Sequence, residues 1–74
     1  MQTLRERLGR AIRHRRTEAG YSQEGFADAC RLHRTYIGSV ERGETNISLD
    51  NMERITKALG IPLSRLILDA EQLR

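Results

Sequence analysis

The chain has 74 residues, a formal net charge of +3 and a sequence pI near 9.8. A chain this short buries only about 60% of its unfolded surface, so we expect one small domain, residues 1–74, that is helped by dimerisation. No apolar run approaches the roughly 20 residues of a membrane-spanning helix, and the first residues lack a signal-peptide core. We therefore expect a cytoplasmic protein with no membrane partner.

The positive charge is concentrated in the first part of the chain. Residues 1–43 hold nine arginines against five acidic residues, whereas residues 44–74 hold four basic and five acidic residues. Twelve of the thirteen basic residues are arginine, whose planar guanidinium suits phosphates and guanine edges. This distribution favours a nucleic-acid partner for the first part of the chain.

Thr3 and Glu6 form a capping-box pattern, which predicts that the first helix begins at Thr3. Gly20 is a typical residue for its end. The helical spacing predicts an inner face of Leu4, Leu8, Ala11 and Ile12. The remaining surface carries a set of arginines that we interpret as a solvated face: Arg5, Arg7, Arg10, Arg13 and Arg15.

Two short helices are predicted between residues 21 and 43. Ser22 is a good N-cap for the first, and the second begins after His33. Their inner faces are predicted from helical spacing to be Phe26, Ala27 and Cys30, and then Ile37, Val40 and the stem of Glu41. Two helices of about eight residues joined by a short turn match a helix-turn-helix unit, here about residues 22–42. In that unit the second helix enters the major groove of DNA.

The third helix has polar residues on the face that its core residues leave free, and Gly38 is predicted to lie there too. Arginine can donate two hydrogen bonds to guanine, and the methyl group of threonine can contact that of thymine. Tyr36 has two interpretations, a structural ring or a hydroxyl aimed at DNA. The predicted base-reading residues are Arg34, Thr35, Tyr36 and Ser39.

A second group of residues is predicted to contact the DNA backbone, which positions a protein without reading sequence. Gln23 lies at the start of the second helix, where free N–H groups attract phosphate. His33 either caps the third helix or meets a phosphate. The full predicted set is Ser22, Gln23, His33, Arg42, Thr45 and Asn46.

Two further helices follow a segment of turn character at residues 43–47. Ser48 caps the fourth helix, Gly60 ends it, and Pro62 suits the first turn of the fifth. The predicted inner faces are Leu49, Met52, Ile55 and Leu59, and then Leu63, Leu66, Ile67, Ala70 and Leu73. With Leu68 added, the fifth helix has more apolar surface than one face can bury. We therefore predict a homodimer interface at Leu66, Leu68 and Leu73.

Three strings at their mutual spacing carry a family resemblance: IRHRRTEAGYSQ, LHRTYIGSVERGE and SLDNMERITKALGIPLSRL. They resemble the phage-repressor-like (Cro/cI, Xre) helix-turn-helix transcription regulators, and LHRTYIGSVERG is most like the controller proteins of restriction-modification systems. The resemblance implies an all-α, five-helix DNA-binding domain that binds a pseudo-palindromic operator as a dimer. It also implies that Gln23 bonds a phosphate and that Arg16 and Glu41 form an ion pair. The family usually has glycine where this chain has Arg31, so we expect Arg31 at positive φ.

Other function classes fit the sequence less well. With one cysteine and no histidine pair at ligand spacing, His14 and His33 do not indicate a metal site. The chain has no phosphate loop or nucleophile motif, so we expect neither an enzyme nor a cofactor. The rival interpretation is an antitoxin or protein-interaction adaptor with secondary DNA binding, although few residues follow the predicted core to wrap a toxin. The sequence leaves open the operator, the sign of regulation and any contact with RNA polymerase.

Overall fold

The computed structural model describes residues 2–73, and the regular elements in that range are all helices. They are α1 (Leu4–Glu18), α2 (Gln23–Cys30), α3 (Arg34–Glu41), α4 (Leu49–Leu59) and α5 (Leu63–Gln72). This architecture confirms the predicted five-helix, all-α fold. None of these helices is both long enough and apolar enough to cross a bilayer.

The predicted helix starts are confirmed by their caps. The hydroxyl of Thr3 accepts a hydrogen bond from the backbone N–H of Glu6 at 3.1 Å, and the Glu6 carboxylate accepts from the Thr3 N–H at 2.9 Å. The hydroxyls of Ser22 and Ser48 likewise accept from N–H groups three residues further on, at 3.0 and 3.1 Å. Each bond satisfies a donor that a helix start would otherwise leave unpaired.

All five helices contribute to one core, with α1 packed on α3 and α5, and α2 packed on α3 and α4. Its fully buried large side chains are Ile12, Phe26, Ile37, Val40, Ile55 and Leu66. Cys30 also lies in this core as a free thiol, and burial raises its pKa to about 11. The thiol is therefore protonated at neutral pH.

Two leucines predicted to face inward are exposed. Leu4 is 45% and Leu49 is 76% accessible to solvent. Each is the first residue of its helix, and helical side chains tilt towards the N-terminus. These two side chains therefore lie beyond the end of the helix, where the core does not reach, although their spacing matches the inner face.

Leu66 requires a correction of the predicted dimer interface. Its side chain is 0% exposed and packs within the core of one chain, so it has no surface to offer a second chain. Leu68, two residues further along α5, is 42% exposed. Leu73 is half-buried and packs against the core. Helical geometry accounts for the difference, because residues two positions apart point to different sides of a helix.

The turn between α2 and α3 has the predicted left-handed residue. Arg31 has φ 58° and ψ 41°, a conformation that costs a residue with a Cβ roughly 1–2 kcal/mol. Its carbonyl accepts a hydrogen bond at 3.3 Å from the guanidinium of Arg54 on α4. This hydrogen bond joins the turn before α3 to α4.

Gly9 allows α1 to approach the end of α3 very closely. A Cβ at this position would lie 2.4 Å from the carbonyl oxygen of Val40 and 2.7 Å from that of Glu41, far inside van der Waals contact. Any side chain at residue 9 would therefore push α3 away from α1. Gly9 therefore permits the short distance between α1 and the end of α3.

Candidate nucleic-acid interface

The end of α3 is anchored to α1 by a buried ion pair. Arg16 Nε lies 2.6 Å from Glu41 Oε2, and Arg16 Nη2 lies 3.0 Å from Glu41 Oε1. The two residues are only 7% and 8% exposed, and Arg16 Nη1 also donates to the carbonyl of Tyr21 at 2.9 Å. The predicted Arg16–Glu41 ion pair is confirmed. Bidentate geometry of this kind offsets much of the cost of burying the charges.

Gln23, the first residue of α2, is held by the same carboxylate. Its Nε2 donates to Glu41 Oε1 at 2.9 Å, which leaves the amide oxygen and one amide hydrogen for other partners. Next to it, Ser22 uses a lone pair for its cap but still has a hydroxyl hydrogen to donate. Both side chains therefore retain the chemistry needed to bind a phosphate.

Gly38 does not lie on the free face of α3, where we had predicted it. It is buried beneath two polar side chains, because a Cβ there would lie 3.2 Å from Arg42 Nη1 and 3.7 Å from Gln23 Oε1. The missing side chain makes room for Gln23 and Arg42 to cross the helix. Gly38 thus lets α2 and the end of α3 share one polar surface.

The first turn of α3 points into solvent. His33 caps the helix, with its Nδ1 accepting from the backbone N–H of Thr35 at 3.1 Å, which confirms the first of the two predicted roles. Arg34 and Thr35 are exposed. The only charged contact of Arg34 within residues 2–73 is Glu24 at 3.5 Å, and both side chains are well exposed. Such a pair is weak, so the guanidinium can leave it for a base edge.

Tyr36 and Ser39 are half-buried; Tyr36 is bonded to α4, and Ser39 is bonded to the loop that follows α3. The Tyr36 hydroxyl oxygen accepts from Asn51 Nδ2 at 3.1 Å, and its own hydrogen remains available. The hydroxyls of Ser39 and Thr45 bond to each other, which leaves one of their two hydrogens free. The bond between Ser39 and Thr45 holds the loop after α3 against α3, and the bond between Tyr36 and Asn51 joins α3 to α4.

That loop carries two more of the predicted backbone contacts. Arg42 Nε donates to Glu44 Oε1 at 3.1 Å, with both side chains exposed. Asn46 Oδ1 accepts from Arg5 Nη1 at 3.1 Å. Sequence reasoning did not single out Arg5, because 41 residues separate it from its partner. In the structure, Gly43 has φ 73° and lies so close to α1 that a Cβ there would be 2.7 Å from the Cα of Glu6.

The arginines of α1 are not a uniform solvated face, as we had interpreted them. Arg15 forms a two-point contact with Asp69 on α5, at 2.6 and 3.2 Å, and this hydrogen-bonded guanidinium lowers the pKa of the Asp69 carboxyl. Arg7 Nη1 donates at 3.3 Å to the carbonyl of Ala70. These two arginines fasten α5 to α1, away from α3.

The predicted DNA-contacting residues therefore converge from three elements: the start of α2, α3 and the loop that follows it. The described residues 2–73 contain no group of three or more His, Cys, Asp or Glu side chains arranged to hold a metal ion. The surface instead offers amide, hydroxyl and guanidinium donors, and its central helix α3 is held in place by contacts with α1 and α2. Such donors match base edges and phosphate oxygens.

Comparison with known proteins gives a consistent result. Residues 12–66 match the helix-turn-helix family HTH_3. The chain is 49% identical to the control protein C.BamHI of Bacillus amyloliquefaciens over 78% of this chain and 73% of that protein. It is 42% identical to the control protein C.MunI of a Mycoplasma species over 97% and 99%. Among solved structures, the restriction-modification controller protein C.AhdI of Aeromonas hydrophila superposes with a TM-score of 0.81 at 41% identity, covering 82% of this chain and 92% of that one.

Proposed function

Because the chain belongs to the helix-turn-helix family of DNA-binding transcription regulators, we propose that it binds a pseudo-palindromic operator as a homodimer and controls a nearby promoter. Its similarity to restriction-modification controller proteins makes genes of such a system the proposed target. The observation that carries the proposal is the exposed first turn of α3, where Arg34 and Thr35 project from a helix held by the buried Arg16–Glu41 pair. The protein would act in the cytoplasm, on the nucleoid.

Within this proposal the two groups of side chains have different tasks. Arg34 and Thr35 read base edges in the major groove. Tyr36 donates the free hydrogen of its hydroxyl, and Ser39, which is bonded to Thr45, offers its hydroxyl oxygen as an acceptor. The remaining residues bind phosphates on either side of the groove and set the register of the protein. They are Ser22, Gln23, His33, Arg42, Thr45 and Asn46.

The proposed dimer interface lies on α5. Leu68 is 42% exposed, and Leu73, which follows the last residue of α5, is half-buried. A two-fold axis beside these residues would bring identical apolar surfaces together. It would also place two copies of α3 about 34 Å apart, one turn of DNA.

Selection of bound sites from random DNA tests the operator proposal. We expect an inverted repeat whose half-site centres are about 10 base pairs apart. Binding should weaken by orders of magnitude between about 50 and 300 mM salt, because each neutralised phosphate contributes about 0.9 to the log–log slope. Selection of no motif, together with a flat salt profile, would contradict the proposal and favour a protein partner.

The dimer is tested by Leu68→Glu, with Leu49→Glu as the matched variant at a second exposed leucine. Sedimentation at micromolar concentration should show a monomer for Leu68→Glu and a dimer for both Leu49→Glu and the unmodified chain. Operator binding should weaken in parallel with dissociation. If Leu49→Glu dissociates the dimer and Leu68→Glu does not, the interface lies around Leu49 at the start of α4. The proposed interface at Leu68 would then be wrong.

A further inference from the structure

The first turn of α1 is joined to the loop that follows α3. Arg5 Nη1 donates to Asn46 Oδ1 at 3.1 Å, and both side chains are exposed. Beside this bond, the loop backbone at Gly43 passes so close that a Cβ there would lie 2.7 Å from the Cα of Glu6. Backbone therefore packs directly on backbone here, and the start of α1 lies against the loop.

Arg5 forms no direct ion pair among the described residues, although its charge, after the hydrogen bonds from Thr3, helps to lower the pKa of the neighbouring Glu6 carboxyl. Four other arginines of the chain pair with acidic side chains: Arg15, Arg16, Arg34 and Arg42. The bond that Arg5 makes is to a neutral amide, and no ion pair within residues 2–73 includes it. Its neighbour Glu6 directs Oε1 to the backbone N–H and hydroxyl of Thr3, at 2.9 and 3.1 Å. Arg5 therefore keeps its charge and most of its donors for another partner.

We propose that Arg5 is a phosphate-binding residue of the DNA interface, contributed by α1 from outside the helix-turn-helix unit. The inference rests on the proposed operator binding, in which Asn46 lies against the DNA backbone. The hydrogen bond to Asn46 takes one of the five guanidinium donors and aims the others along the same surface. A phosphate oxygen beside Asn46 would then receive a charge-assisted hydrogen bond.

A phosphate explains the arrangement better than a base edge. Arg5 lies on a different helix from Arg34 and Thr35, which occupy the first turn of α3, and its amide partner belongs to the loop beyond the far end of α3. Contacts at the rim of the groove are made mostly to phosphate and sugar. Arg5 should therefore add affinity equally for all sequences.

The test compares Arg5→Gln with Arg13→Gln, which removes the same charge from α1 on the side that faces α5, beside His14 and Gln72. The probe is a labelled duplex carrying the site that the unmodified protein selects from random DNA. Affinity is measured between about 50 and 300 mM salt, where each phosphate contact contributes about 0.9 to the slope. Melting temperatures of the variants establish that each one is folded.

Arg5→Gln should lower the slope by roughly 2 per dimer, one phosphate in each half-site, without changing the selected sequence. Arg5→Lys, which keeps the charge, should retain most of the slope, and Arg13→Gln should leave it within error. Equal slopes for Arg5→Gln and the unmodified protein, or equal losses for Arg5→Gln and Arg13→Gln, would overturn the inference. If the unmodified protein selects no site at all, the proposed function itself fails, which is a distinct result.

Discussion

The carboxylate of Glu41 lies 2.6 Å from Nε of Arg16, and this contact joins the last turn of α1 to the last residue of α3. The same carboxylate accepts a hydrogen bond from Gln23 at the start of α2. One buried side chain therefore sets the relative positions of three helices. The buried Glu41 carboxylate therefore helps to set the geometry of the proposed DNA-binding surface.

Replacing Glu41 with alanine should destabilise the protein strongly. The change leaves Arg16 buried without a counter-charge, which should cost roughly 3–5 kcal/mol of the free energy of unfolding. For a domain of this size each kcal/mol lowers the melting temperature by about 4–8 °C, so thermal unfolding should show a shift well above 10 °C. Glu44→Ala, which removes an exposed partner of Arg42, is the control and should change stability by less than about 1 kcal/mol. Similar shifts for both variants would mean that burial does not decide the strength of the pair.

The contact between Arg15 and Asp69 should make the stability depend on acid pH. The hydrogen bond from Arg15 lowers the pKa of Asp69 in the folded state, so the contact stabilises the protein fully above the unfolded-state pKa of about 3.9. That contribution is lost as the pH falls through the lower, folded pKa. Urea unfolding should therefore show Asp69→Asn to be less stable than the unmodified protein at neutral pH, with the difference shrinking below about pH 4. Asp28→Asn, which removes a carboxylate from an exposed site on α2, is the matched control variant.

Arg31→Gly should stabilise the protein. Glycine adopts the left-handed conformation of this turn without the cost of roughly 1–2 kcal/mol that a Cβ imposes, although it gives back part of the gain as extra freedom of the unfolded chain. We expect a net gain of about 1 kcal/mol in the free energy of unfolding, measured by denaturant titration. Arg31→Ala keeps the Cβ and should gain little, so an equal gain from alanine would show that the effect comes from the side chain of Arg31.

Base reading should separate from backbone binding in a pair of arginine variants. Arg34→Ala should cost roughly 1–3 kcal/mol of binding free energy and relax the preference at one position of each half-site. Arg42→Ala should weaken binding to all sequences alike. The measurement is site selection with each variant, followed by affinities for the consensus and for single-base changes. A selected motif unchanged by Arg34→Ala would show that the first turn of α3 does not read bases.

Local signals in the sequence predict most of the helix starts. The caps at Thr3, Ser22 and Ser48 are read directly from residue type, because each bond spans only three residues. The positive φ of Arg31 is instead predicted by the family resemblance, because the family usually has glycine at that position. These features depend on neighbours along the chain and not on how helices cross.

The errors arose where the outcome depends on tertiary packing. Leu49 has the spacing of a core residue, but no other helix covers the start of α4. Gly38 was placed on the free face because spacing alone does not show that Gln23 and Arg42 cross over it. Leu66 is wrongly predicted to lie in the dimer interface, because the sequence of an apolar helix does not show which of its residues are already buried within one chain. The contact between Arg5 and Asn46 had no local signal at all.

The buried thiol of Cys30 has a practical consequence for studying this protein. Its burial and its pKa of about 11 protect it from alkylating reagents, which attack the thiolate. Alkylation of Cys30 should therefore proceed only when the core opens, so its rate reports global unfolding under native conditions. Bound operator DNA should slow the reaction by the factor 1 + [DNA]/Kd, which offers a measure of affinity that needs no label. A fluorophore could also be placed on an introduced surface cysteine without first removing Cys30.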